Sequence, residues 1–80
     1  MTTEWTPLEA MLGSELCRNF MYMGRSSPFV YLDQEQRLYL YKHIDTRRYL
    51  NLATDGRCFR FSPSGYEPIS REEAIDHVFS

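Results

Sequence analysis

Cysteine is scarce in this chain: only Cys17 and Cys58 are present, far apart and in stretches of different pattern. Two thiols are too few to staple a small secreted domain, so a reducing, cytoplasmic setting is expected. No apolar run approaches the roughly 20 residues that a membrane-spanning helix needs, and no basic-then-apolar leader precedes a small-residue cleavage site. No membrane partner is therefore expected. Internal repeats and low-complexity tracts are missing too. Chemistry-bearing patterns are equally sparse. His43, His77, Cys17 and Cys58 show no C-x-x-C or H-x-x-x-H spacing for a metal. A His43–Cys58 pair has no third group and no glycine-rich elbow to make it a nucleophilic site. The expectation is a protein that is not an enzyme and uses no metal or cofactor.

What the chain does contain is apolar and aromatic material, 42% and 15% of its 80 residues. That is enough for one core and argues against intrinsic disorder. A chain this long buries roughly 60–65% of the surface exposed when unfolded, and its net stability is on the order of 4–12 kcal/mol. The formal charge of −2 hides a segregation. Between Arg37 and Arg60 six basic residues face two acidic ones, for +4, while the remainder sums to −6. Such a dipolar chain can turn its basic side to an anionic partner.

Local signals predict an α+β single small domain over residues 1–80: a helix, four strands in an antiparallel meander sheet, and a short C-terminal helix. Thr6, Pro7 and Glu9 form a capping-box start for a helix over 7–23, with Trp5 just outside. Leu8, Leu12, Leu16, Phe20 and Met23 give it an apolar stripe, and Gly24 a stop. Gly13 inside that helix is a local cost of about 1 kcal/mol against alanine. Strands are expected at 29–33, 37–43, 47–53 and 57–62, with Asp55-Gly56 the strongest hairpin turn and a loop over 62–65. Connections this short require antiparallel neighbours. Ser70 and Glu73 form a second capping box for a helix over 71–79.

The candidate site comes from the alternation between Arg37 and Arg60. Leu38, Leu40, Leu50, Leu52, Phe59 and Phe61 occupy one phase of it. The other holds Arg37, Tyr39, Tyr41, His43, Arg47, Tyr49, Asn51, Cys58 and Arg60. Side chains alternate across a strand, so the expected sheet has an aliphatic inner face and a cationic, aromatic outer one. Arg37, Tyr39, Tyr41, Arg47, Tyr49 and Arg60 are the expected contact residues. Tyrosine and arginine are enriched at protein interfaces, so the first expectation is a binding or regulatory protein that meets a protein partner, a homodimer included. The alternative is a phosphate-bearing ligand, single-stranded nucleic acid or a nucleotide, stacked on tyrosine and held by arginine. Arg47-Arg48 beside Thr46 is a candidate anion clamp. The face is similar in chemistry to that of the RNA recognition motif. That family interleaves its strands and helices, however, whereas here the expected strands are consecutive, and Gly56–Phe61 lacks the family's pattern.

Overall fold

A computed structural model describes residues 3–80. The fold is α+β, with a five-stranded antiparallel sheet and a separate two-stranded hairpin in place of the expected four-stranded meander. A 3-10 turn, Thr3–Trp5, leads into α1 (Thr6–Leu12), with Pro7 in its first turn. Trp5 holds the N-cap position and no side chain caps the helix, so the Thr6 capping box does not form. The helix predicted over 7–23 ends early. Gly13 takes φ +88°, its N–H closing on the Glu9 carbonyl at 2.8 Å, and a single turn, α2 (Ser14–Cys17), follows.

Residues assigned to the end of that helix instead form β1 (Phe20–Arg25). Phe20 and Tyr22 turn inward while Met21 and Met23 are exposed, a period of two that separates Phe20 from Met23, the pair the helical stripe would place on one face. What decides between them is β4 (Tyr39–His43), whose free edge β1 completes, with a bulge between Tyr22 and Gly24. β2 (Phe29–Tyr31) and β3 (Gln34–Gln36) pair as the separate hairpin. Leu32 and Asp33 at its tip have φ +52° and +62°, the left-handed values a two-residue hairpin turn demands. β5 (Tyr49–Leu52) and β6 (Cys58–Ser62) continue the large sheet. The segment expected as a loop from 62 onward makes a two-residue turn into β7 (Gly65–Ile69). β7 lies at the sheet edge, where Pro68 is tolerated. The strand order is β1-β4-β5-β6-β7.

α3 (Arg71–Phe79) starts at a full capping box: Ser70 Oγ accepts the Glu73 N–H at 3.0 Å, and Glu73 accepts the Ser70 N–H at 3.3 Å. Ser70→Ala is expected to cost about 1 kcal/mol in urea denaturation, and a change below a few tenths would show that the cap is idle.

The expected division into a leucine face and a tyrosine face is overturned. The β4–β5 register pairs Tyr39 with Leu52, Leu40 with Asn51 and Tyr41 with Leu50. Directly paired residues share a face. The tyrosines of β4 therefore lie beside the leucines of β5, and the phase inverts across the turn at 44–48. One face builds a core of Leu8, Phe20, Tyr41, Leu50, Leu52, Cys58, Ala74 and Val78 beneath α1 and α3. The other carries Leu38, Ala53 and Phe59, against which Phe29 and Tyr31 of the hairpin pack, with Leu40 and Tyr66 alongside. Both faces thus receive apolar residues, and each needs a cover.

Candidate functional site

The six residues expected to share one face are dispersed by this register. Tyr41 is buried under the helices, its hydroxyl donating to the Glu4 carbonyl at 2.6 Å. Burial pushes the pKa of that phenol far above its ordinary value. Tyr39 lies on the same face, half-buried, with the Arg25 guanidinium 3.9 Å above its ring. Arg37 precedes β4 and is tied to the preceding loop, its Nε donating to the Ser26 carbonyl at 3.3 Å. Arg47 is exposed in the 44–48 turn at φ +65°. Only Tyr49 and Arg60 line one cavity.

That cavity, about 540 Å³, lies where two strands part. β5 and β6 pair only at Asn51–Phe59 and Leu52–Cys58, whereas β6 runs five pairs long with β7. Past Asn51, Tyr49 on one side and Arg60 and Phe61 on the other have no partner in register across the gap. Tyr49, Phe61, Tyr66 and Leu40 give the cavity its apolar wall, and Arg48, Arg60, Asn51 and His77 its polar one. The Phe61 and Tyr66 rings meet at 5.1 Å and 64°, an edge-to-face contact that leaves ring surface open. Tyr66 also lies 5.1 Å from Phe29, which ties the cavity wall to the hairpin. Burial first, then the neighbouring Tyr49 phenol, raises the pKa of Tyr66, so this hydroxyl stays a donor near neutrality.

The position of Arg48 is set by a chain of hydrogen bonds. His43 Nδ1 accepts the N–H groups of Asp45 and Thr46 at 3.1 and 3.2 Å, which shapes the turn. Thr46 Oγ1 donates to the Val78 carbonyl at 2.6 Å and accepts the Arg48 N–H at 3.3 Å, pinning the turn to the end of α3. Arg48 then reaches His77 Nδ1 at 3.4 Å; a guanidinium only donates, so that nitrogen accepts. Arg60 pairs with Glu67 at 3.3 Å, but both side chains are largely exposed and such a pair is weak. Lys42, 5.9 Å from the Tyr49 ring, adds a third cation beside the cavity.

The arrangement suits recognition of an anion with a flat group attached. The thiols lie elsewhere: Cys58 is buried on the helix-covered face and Cys17 packs beside that core. Burial pushes both pKa values up, against a smaller opposing influence of Arg71 at Cys58 and with some reinforcement from Glu9 at Cys17. Both therefore stay thiols, the weakly nucleophilic form. Among the described residues no three His, Cys, Asp or Glu side chains gather as a metal site, and no helix is long and apolar enough to cross a membrane.

Of the cavity's polar residues, sequence reasoning marked Arg48 only as half of a clamp and Asn51 only as a member of the outer phase. Tyr66 carries no mark of its own in the sequence, and His77 figures only among the metal candidates that spacing excludes. Pro63-Ser64 between two alternating stretches was the available signal for β7 and hence for Tyr66. His77 had none, since only the docking of α3 brings it to Arg48. Comparison of the chain with protein-family models, with curated proteins and with solved structures finds no match.

Proposed function

We propose that this chain is a non-enzymatic binding protein whose cavity between β5 and β6 takes a phosphate-bearing small ligand. The observation that carries this reading is the convergence of Arg48 and Arg60 with the rings of Tyr49, Phe61 and Tyr66 around one cavity of about 540 Å³. That volume falls within the roughly 300–1,000 Å³ usual for small-molecule sites, and a mainly apolar wall with a few convergent polar groups is their usual make-up. Guanidinium groups bind phosphate through paired, charge-assisted hydrogen bonds. A cytoplasmic setting belongs to the same reading and agrees with two free thiols.

Ribose 5-phosphate is expected to bind at low salt, and Arg48→Ala or Arg60→Ala to weaken it about tenfold each, as loss of one hydrogen bond to a charged group implies. Isothermal titration measures this. Absence of binding, or affinity indifferent to both substitutions, would remove the phosphate reading.

A second reading, a protein partner that includes a second copy of the chain, is favoured by one observation. Phe61 is 72% exposed on the cavity's face, and Met21, opposite Lys42 on that face, is 43% exposed. Light scattering separates the two readings: a dimer that becomes monomeric on Phe61→Ser would assign the face to self-association.

A further inference from the structure

Asn51 stands out among the residues lining the cavity. It sits in β5 opposite Leu40 and Phe59 and is 4% exposed. Its Nδ2 donates to the Phe59 carbonyl at 3.3 Å, while its Oδ1 is buried with no donor, the one such side-chain atom found among the described residues. The orientation follows from the Phe59 contact, because the flipped amide would set two acceptors against each other. A buried acceptor left without a donor is costly, and natural folds seldom keep one without a use.

The amide nitrogen carries two hydrogens, of which the Phe59 carbonyl takes one. The carboxamide therefore still has one N–H and its C=O without a protein partner. The complement of that pair is an N–H donor next to an acceptor on a rigid ring, which is the edge by which asparagine reads a nucleobase. The cavity supplies the rest of such a ligand's environment. Tyr49 and Tyr66 present aromatic surface, on which bases stack irrespective of identity. Arg48 and Arg60 stand at the same cavity for a phosphate. The amide's bond to Phe59 is long at 3.3 Å, and binding would require the carboxamide to tilt so that its buried oxygen meets an incoming N–H.

We infer that the ligand of this cavity is a nucleotide, its base edge hydrogen-bonded to the Asn51 carboxamide, its ring on Tyr49 and Tyr66, and its phosphate at Arg48 and Arg60. The inference rests on the phosphate reading above and adds the base.

The test is a titration of the full chain with the four ribonucleoside 5′-monophosphates, with purine riboside 5′-monophosphate, which lacks the exocyclic amine, and with ribose 5-phosphate. At least one nucleotide is expected to bind about tenfold or more tighter than ribose 5-phosphate, the size of one good amide–base pair. If that nucleotide is AMP, purine riboside 5′-monophosphate should bind more weakly by the share the amine contributes, a comparison that needs no protein variant. Asn51→Leu should cost that nucleotide about tenfold and so narrow its advantage over ribose 5-phosphate measured on the same variant, what is left being the stacking on Tyr49 and Tyr66. Nucleotides that bind no better than ribose 5-phosphate would overturn the base assignment while sparing the phosphate site, as would a gain indifferent to Asn51→Leu or, for AMP, to loss of the amine. Failure of every phosphate compound, ribose 5-phosphate included, would overturn the cavity reading together with this inference.

Discussion

Tyr41→Ala is expected to destabilise the protein by about 3–5 kcal/mol, the range for removing a large buried ring. The ring is fully enclosed, 5.7 Å from Trp5 and 5.8 Å from Tyr22, and forms the contact through which the N-terminal turn closes on the sheet. Its hydroxyl bond to Glu4 is a smaller part, so Tyr41→Phe should cost only about 0.5–1.5 kcal/mol. In a domain of this size each kcal/mol moves the melting temperature by about 4–8 °C, so Tyr41→Ala should be largely unfolded on modest warming. Urea and thermal denaturation of the two variants measure both effects. A Tyr41→Ala protein as stable as the parent would mean that the tyrosine of β4 is not a core residue and that the expected outer face exists after all. Tyr49→Ala offers the contrast. Its side chain is 40% exposed and lines the cavity, so it should weaken ligand binding far more than it weakens the fold.

Phe59→Ala should cost a similar 3–5 kcal/mol from the opposite side of the sheet. Phe59 is buried between the rings of Phe29 at 5.7 Å and Tyr31 at 5.3 Å, both meeting it edge-on, with Leu38 and Ala53 beside it. These contacts hold the β2–β3 hairpin, which pairs with no other strand. The local consequence is therefore specific: amide protection in residues 29–36 should fall before that of β4 and β5, because the hairpin opens as a unit while the helix-covered core persists. Hydrogen exchange resolved along the chain reads this directly. Uniform loss of protection would show that the two faces unfold together, and an unchanged hairpin would show that something other than Phe59 fastens it. The cavity should feel the change too, since Tyr66 contacts both Phe29 and Phe61.

Much of the secondary structure was legible because its causes are local. Ser70 and Glu73 mark the start of α3 by themselves, since a cap needs only its own turn. β4, β5 and β6 lie within the stretches where apolar and polar residues alternate, and Asp55-Gly56 sits between β5 and β6. The residues from Phe20 to Met23 fit a helical stripe and a strand equally well. Their state was settled by the open edge of β4, a non-local partner that no window around Phe20 contains. β7 accommodates Pro68 because it is an edge strand, a position that only the assembled sheet defines.

By itself, then, the sequence determined the α+β class, an antiparallel arrangement of short strands, the C-terminal helix and a basic, aromatic central segment. These follow from caps, turns and periodicity, which act over a few residues. Which face each side chain took was decided only in the tertiary structure. The turn at 44–48 sets Tyr41 opposite Leu50, so one pairing register sent two of the six expected contact tyrosines and arginines under the helices and left Tyr49 and Arg60 at the cavity. The cavity is likewise a property of assembly. It exists because β6 follows β7 past the point where β5 leaves it, and because α3 docks His77 beside Arg48. Register and docking are set by contacts between residues distant in the chain, and their energy is invisible until both partners are in place.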